Sequence, residues 1–248
     1  MINKKIMMES VYSQLAIDYN CSPDDFLKDG FIFTEASENK DRRPFPWVTP
    51  RIEIVTSGRS VVINASRDIL PYIREQLEGK TRYEALCMPF VYGISPYFLS
   101  DIGKISPMIN PDGFEYEIVE RSSIKKLYDI AGFRNALQYD ENHPRPDVLV
   151  TLARSNCEIV GIAGASADCK TMWQIGVDVL PPYRGKGLAV SLVNMLTLEI
   201  LRRGYIPYYG TDGSNVVSQQ VAVRAGYIPA WAHCYKTRLD GVLIPPVC

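Results

Sequence analysis

One segment restricts the architecture more than any other. Val177-Asp178-Val179-Leu180-Pro181-Pro182-Tyr183-Arg184-Gly185-Lys186-Gly187-Leu188-Ala189 carries the chain from a β-branched run, through a turn, into a periodic apolar stretch. Leu192, Val193, Leu196, Ile200 and Leu201 recur at helical spacing, so a helix is predicted from Leu188 to Arg203, closed by Gly204. A strand that delivers the chain onto a helix N-terminus through a glycine-bearing turn makes an anion site. The first N–H groups of the helix have no intrahelical partner, and the helix dipole places partial positive charge there. Gly185 and Gly187 let the backbone approach phosphate oxygens, and Arg184 and Lys186 add charge. Pro181 and Pro182 lack N–H donors and interrupt pairing, which leaves the strand end open to another partner. A Walker A loop would need Gly at Leu180 and Ser or Thr at Gly187, and a dinucleotide fingerprint would need Gly at Val190 directly after the strand.

The rest of the 248-residue chain reads as globular, because 46% apolar residues are enough for a sizeable core. A net charge of -1 gives no electrostatic reason to expect a nucleic acid or an anionic membrane as partner. The six cysteines show neither a C-x-x-C pair nor a zinc spacing, so reduced thiols and no metal are expected. No stretch reaches the ~20 apolar residues of a membrane span, and the first residues lack the apolar run of a leader, so a cytoplasmic protein is expected.

Along the chain, a helix is predicted over residues 3–19 and strands over Arg51–Thr56 and Ser60–Asn64, with Ser57-Gly58-Arg59 as the turn. A helix over Asp68–Leu86 follows. Ser100–Gly113, with Gly103, Pro107, Asn110-Pro111 and Asp112-Gly113, reads as a linker. The expected order beyond it is strand Phe114–Glu120, helix Ser122–Leu137, strand Val148–Ala153, hairpin to Glu158–Gly164, and strand Trp173–Val179. After the long helix come strand Pro207–Thr211, a helix from Ser214-Asn215 to Ala225, and strand Trp231–Leu239. The fold class is therefore α/β (α+β): residues 1–112 form a smaller N-terminal α+β domain, and residues 113–248 a mixed, mostly antiparallel sheet of six or seven strands flanked by helices.

Arg184-Gly185-Lys186-Gly187-Leu188-Ala189 resembles the Arg/Gln-x-x-Gly-x-Gly/Ala pattern of the GNAT superfamily of N-acetyltransferases, and the resemblance spans roughly residues 114–240. It implies that Arg184, Gly185, Lys186, Gly187, Leu188 and Ala189 hold the pyrophosphate of acetyl-CoA. It also implies that the strand at Val177 and Val179 pairs with the pantetheine arm, the Val177 N–H serving as oxyanion donor. Asn215 resembles the family residue that contacts pantetheine. Seven residues later the family carries a proton-donating Tyr, and this chain has Ala222.

Ser218 and Tyr227 are therefore candidate proton donors, with Tyr208, Tyr209 and Tyr235 on flanking strands, and Asp178 and Asp212 are candidate bases. Each has a structural alternative. Asp178 can face solvent from the sheet, Asp212 can serve a turn, and Asn215 can simply cap its helix. The resulting expectation is transfer of an acetyl or short acyl group from acetyl-CoA, as cosubstrate, to a small-molecule or peptide amine within a ternary complex. The alternative is a catalytically weak acyl-CoA-binding sensor or regulatory module. Oligomeric state, a homodimer included, stays open.

Overall fold

The computed structural model describes residues 2–45, 49–88, 90–91 and 93–236. Its helices are α1 (Lys4–Asp18), α2 (Leu70–Leu77), α3 (Arg82–Leu86), α4 (Arg121–Ile124), α5 (Leu188–Arg202) and α6 (Val216–Arg224). Its strands are β1 (Gly30–Glu35), β2 (Ile52–Thr56), β3 (Ser60–Ala65), β4 (Ser95–Ser100), β5 (Glu115–Glu120), β6 (Asp147–Ser155), β7 (Glu158–Ala167), β8 (Met172–Val179), β9 (Ile206–Gly210) and β10 (Tyr227–Lys236). The chain divides into two compact units, one of Met1–Met7, Phe98–Thr211 and Asn215–Pro229, the other of Met8–Tyr97, Asp212–Ser214 and the chain from Ala230. Residues 98–112, placed N-terminal to the boundary by the sequence, group with the first unit, whereas the end of β10 groups with the second.

In the first unit the strand order is β4-β9-β8-β7-β6-β5. β5 through β8 pair antiparallel in succession and β8 pairs parallel with β9, giving the expected mixed, mostly antiparallel α/β sheet. One face of this sheet packs on α5, whose Leu188, Leu192, Val193, Leu196 and Ile200 are fully buried against Leu149, Ala163, Ala165 and Ile175. On the other face Phe133, Ala136 and Leu137 close over Val150, Leu152 and Ile162. Ser100–Gly113 is tied down rather than a free linker. Asn194 of α5 donates to Ser106 C=O (3.2 Å) and accepts from Met108 N–H (3.3 Å), while Ser191 Oγ donates to Asn110 Oδ1 (2.5 Å).

The helix predicted over Ser122–Leu137 is overturned. Only α4 forms, followed by one 3-10 turn at Lys125–Leu127, and Gly132 then leaves the helical region at φ 105°. The chain beyond it lies flat across the sheet over Gly164 and Gly176, which face each other in the β7–β8 register. A Cβ built on Gly176 would stand 1.7 Å from Asn135 C=O, and one on Gly164 1.8 Å from Ala136 C=O. Only a side chain without Cβ allows backbone to cross a sheet that closely.

The second unit has the strand order β1-β3-β2-β10. β2 and β3 form the expected hairpin, with Gly58 at φ 106° in its turn. Both strands are buried along their whole length, so the polar residues among their apolar ones, such as Glu53 and Asn64, are buried with them. The helix predicted over Asp68–Leu86 is two helices. Gly79 at φ 71° ends the first, and Thr81 opens the second with a capping box, its Oγ1 accepting from Glu84 N–H (3.3 Å) while Glu84 accepts from Thr81 N–H (2.7 Å). β1 and β4 were not read as strands from the sequence. The strand predicted to run to Leu239 starts earlier, at Tyr227, and residues past 236 lie outside the described ones, as does the side chain of Tyr235.

Glu53, buried in β2, accepts from Arg42 Nη2 at both carboxylate oxygens (2.5 and 2.6 Å) and pairs with the fully buried Arg51 (2.8 Å). Asp18 likewise accepts from Arg43 Nε at 2.5 Å. Beside them His233 is 8% exposed, with Tyr19, Phe45 and Tyr97 rings around it. Burial first, then the charges of Arg43, Arg42 and Arg51, push its imidazole down to about 3.

Two expectations follow from this packing. Gly176→Ala should lower stability by about 3 kcal/mol or more in urea denaturation, since neither partner backbone can retreat. The unfolded chain binds a proton at His233 near its ordinary ~6.5, and the folded chain does not until about 3. Stability from this group is therefore full above ~6.5 and lost as pH falls toward 3, and thermal melts of His233→Gln should show a shallower acid decline than wild type.

Candidate active site

The site is built around the far end of β8. Leu180 N–H donates to Val160 C=O (2.9 Å), which sets the alternation of the antiparallel β7–β8 ladder. Gly176 and Asp178 turn their backbone groups to β7, so Val177 and Val179 turn theirs to the opposite side. On that side the neighbour is β9, and the parallel register ends at Ile175↔Tyr209. β8 continues to Val179. The N–H and C=O groups of Val177 and Val179 thus face the gap where β9 has left. Arg184 Nε closes part of it by donating to Val179 C=O (2.9 Å), fastening the following turn to the strand.

That turn is one 3-10 turn at Pro181–Tyr183, then Gly185 at φ 77° and Gly187 at φ 84°, both in the left-handed region that favours glycine. Gly187 caps α5 with no side-chain hydrogen bond to the first-turn N–H groups. Leu188 is buried beneath the turn and anchors the helix, while Arg184 and Lys186 are exposed. The Lys186 ammonium lies 5.3 Å from the centre of the Tyr183 ring. These residues form an open, cationic mouth at a helix N-terminus, directly beyond the free edge of β8.

Tyr209, at the last paired rung, is 3% exposed, and its hydroxyl is 2.8 Å from Ser218 Oγ on α6. Burial raises its ionisation above the ordinary tyrosine range, the Ser218 hydrogen bond opposes this, and the charge of Asp178 adds to it. The phenol is therefore neutral at physiological pH. Asn215 caps α6, its Oδ1 accepting from Ser218 N–H (3.1 Å). Ala222 is fully buried against the α5 core, on the same stripe of α6 as Ser218.

The other sequence candidates fall into structural settings. Tyr227 is fully enclosed, its hydroxyl 2.6 Å from Thr197 Oγ1, and burial pushes it far above the usual range. Tyr208 donates to Asp168 (2.5 Å). Asp212 accepts from the N–H (2.7 Å) and Oγ (2.5 Å) of Ser214, so it serves its own turn and is held below the usual carboxylate range. Asp178 accepts from Asn135 N–H (2.7 Å), Asn135 Nδ2 (2.6 Å) and Ala136 N–H (3.1 Å). It is not the open carboxylate that a base needs. Asn135, Ala136 and the Gly164–Gly176 rung were missed from the sequence. The available signal was a glycine inside each of two neighbouring strands.

No cluster of three or more His, Cys, Asp or Glu side chains suited to a metal ion occurs among the described residues. No described helix is long and apolar enough to cross a membrane.

The family model for GNAT acetyltransferases matches residues 150–236, which hold β8, the cationic mouth, α5, β9 and α6. A comparison with curated proteins finds no match. Among solved structures, a GCN5-related N-acetyltransferase-like protein from Streptococcus suis 89/1591 is similar at 18% identity, covering 72% of each chain, with a TM-score of 0.43. An acetyltransferase of the GNAT family from Colwellia psychrerythraea is similar at 16% identity, covering 64% of this chain and 62% of that one, with a TM-score of 0.44. A tandem GNAT protein from the clavulanic acid biosynthesis pathway is similar at 12% identity, covering 68% of this chain and 58% of that one, with a TM-score of 0.49.

Tyr227→Phe should cost about 1 kcal/mol, the worth of one buried hydrogen bond, because Thr197 keeps its bond to Val193 C=O (2.6 Å). Urea denaturation should report that loss, with the slope of the transition unchanged.

Proposed function

Proceeding from residues 150–236 as a GNAT acetyltransferase segment, we propose that this protein transfers an acetyl group from acetyl-CoA to an amine. The observation that carries the reading is the free edge of β8 at Val177 and Val179, directly before the glycine mouth of α5. Pantetheine contains two amides, so it can occupy that edge as a short strand, and its pyrophosphate then reaches the N–H groups after Gly187. Arg184 and Lys186 neutralise the phosphates, and Asn215 adds a polar contact at the start of α6.

With both substrates bound, the neutral amine attacks the thioester carbon. Val177 N–H stabilises the oxygen that becomes negative. When the C–S bond breaks, its electron pair goes to sulfur, and the Tyr209 hydroxyl supplies the proton. Tyr209 is then reprotonated through Ser218, and the proton left on the amine nitrogen passes to water. This places the donor on β9, where Ala222 of α6 cannot provide one. Tyr209 is suited to the task because its burial keeps it protonated until the sulfur needs a proton.

A second reading, an acyl-CoA-binding sensor, draws on Ala222 and on the absence of an open carboxylate at Asp178. Both readings require acetyl-CoA at about a hundred times its Kd to stabilise the protein by about 2.7 kcal/mol. They separate on turnover. Free-thiol release with a panel of primary amines should be detected for wild type, and Tyr209→Phe should lower kcat by about 10²-fold, with Ser218→Ala intermediate. Stabilisation by acetyl-CoA with no thiol release would favour the sensor, and an absence of stabilisation would remove both.

A further inference from the structure

The segment Phe133–Leu137 crosses the sheet on the face opposite Tyr209. Side chains alternate along β8, so Ile175, Val177 and Val179 pack toward α5 with Tyr209, while Gly176 and Asp178 point to the other face. A group seated on the free edge at Val177 therefore has Tyr209 on one side and the Asn135–Ala136 backbone on the other. That backbone is held by two devices that belong together. Gly176 and Gly164 remove the Cβ atoms that would stand 1.7 and 1.8 Å from the carbonyls of Asn135 and Ala136. Asp178 then takes up the two N–H groups of the same residues, and the Asn135 side-chain amide as well. Backbone lying on a sheet cannot join its ladder, so without this carboxylate Asn135 N–H would lack its partner at the point of closest approach, and Ala136 N–H would keep only Phe133 C=O (3.1 Å).

We propose that Asp178 is a positioning residue, which latches Phe133–Leu137 across the Gly164–Gly176 rung and so fixes the wall against which the amine acceptor is held beside Val177. The proposal rests on the acyltransfer reading above. It assigns Asp178 to acceptor placement and to neither acyl-CoA binding nor proton transfer. Phe133, Ala136 and Leu137 are buried and anchor the wall, and Arg134 and Asn135 are exposed upon it. The wall is tied down at several points: Phe133 N–H donates to Tyr139 Oη (3.3 Å), Leu137 N–H to Phe133 C=O (2.9 Å) and Asn135 N–H to Asp178 (2.7 Å), and this carboxylate, adjacent in sequence to Val177, registers it to the reacting atoms.

The test uses the full chain, acetyl-CoA, and whichever amine of the panel gives the fastest thiol release with wild type. In Asp178→Asn, which keeps one carbonyl acceptor, and in Asn135→Ala, which loses only the side-chain bond, melting curves first establish folding. Asp178→Asn should raise KM for the amine about tenfold and Asn135→Ala less, with kcat within about twofold of wild type. The thermal shift given by acetyl-CoA should be unchanged, and the Asn135 amide of Asp178→Asn should exchange with deuterium about tenfold faster or more. Faster exchange with an unaltered KM would overturn the positioning role. A fall in kcat with loss of the acidic limb of the pH profile would also overturn it, making Asp178 the base. Wild type releasing no thiol with any amine would sink the acyltransfer reading itself, an outcome distinct from both.

Discussion

Parallel pairing between β8 and β9 stops at Ile175 and Tyr209, whereas β8 stays bonded to β7 as far as Val179. A strand held on one side and released on the other is an unusual state for a protein interior, since each exposed N–H or C=O demands a partner. Much of the surrounding structure answers that demand. Arg184 turns back to occupy the carbonyl of Val179, which draws the glycine turn against the strand and aims the start of α5 along the gap. The prolines at 181 and 182 keep the chain from continuing the ladder. What stays open is short, directional and bordered by the positive end of a helix. These are the properties required to hold an amide-bearing chain that ends in a phosphate.

The two faces of β8 are specialised by the alternation of its side chains. Toward α5 the contacts are apolar and dense, so the strand cannot shift there without opening a core. Toward Phe133–Leu137 the contacts are backbone on backbone, which two glycines permit. The tyrosines near the gap illustrate how environment separates chemically identical groups. Tyr209 and Tyr227 are 6.1 Å apart, ring centre to ring centre. One hydroxyl meets a serine on a half-buried helix stripe, and the other is sealed against Thr197 inside the core. The first has a partner, Ser218, that is itself partly exposed, whereas Thr197 is fully buried.

How much of this could be read in advance depended on whether the signal was local. The turn from Val177 to Ala189 was legible because its glycines, prolines and helix are contiguous, and so were the β2–β3 hairpin and α5. The helix predicted over Ser122–Leu137 failed as one continuous element: Phe133–Leu137 keeps a single turn, Leu137 N–H donating to Phe133 C=O (2.9 Å), with Phe133, Ala136 and Leu137 inward on the sheet. That geometry depends on Gly164 and Gly176, which are far along the chain and meaningful only as a pair. Ser100–Gly113 reads as a linker by composition, yet its tether includes an asparagine 86 and 88 residues on from the two residues it bonds. Asp178 reads from its place in the motif as a candidate base or a solvated residue of the sheet face, but what it bonds to is decided by tertiary contacts.

That asparagine, Asn194, is 3% exposed in the middle of an apolar helix, and its amide meets two separate pieces of chain: Ser106 and Met108 in one, and Ala225 at the end of α6 in the other. Leucine in its place would suit the hydrophobic pattern of α5 better and would specify its docking less. Apolar stripes tolerate sliding by a turn, because one buried methyl resembles another, but a carboxamide with fixed donors and acceptor matches one alignment only. Together with Ser191 on Asn110 and Thr197 on Tyr227, this polar group thus sets the axial register of α5 against its neighbours. Since the first turn of α5 is also the mouth of the gap, the helix's internal alignment fixes how far that mouth stands from the open strand.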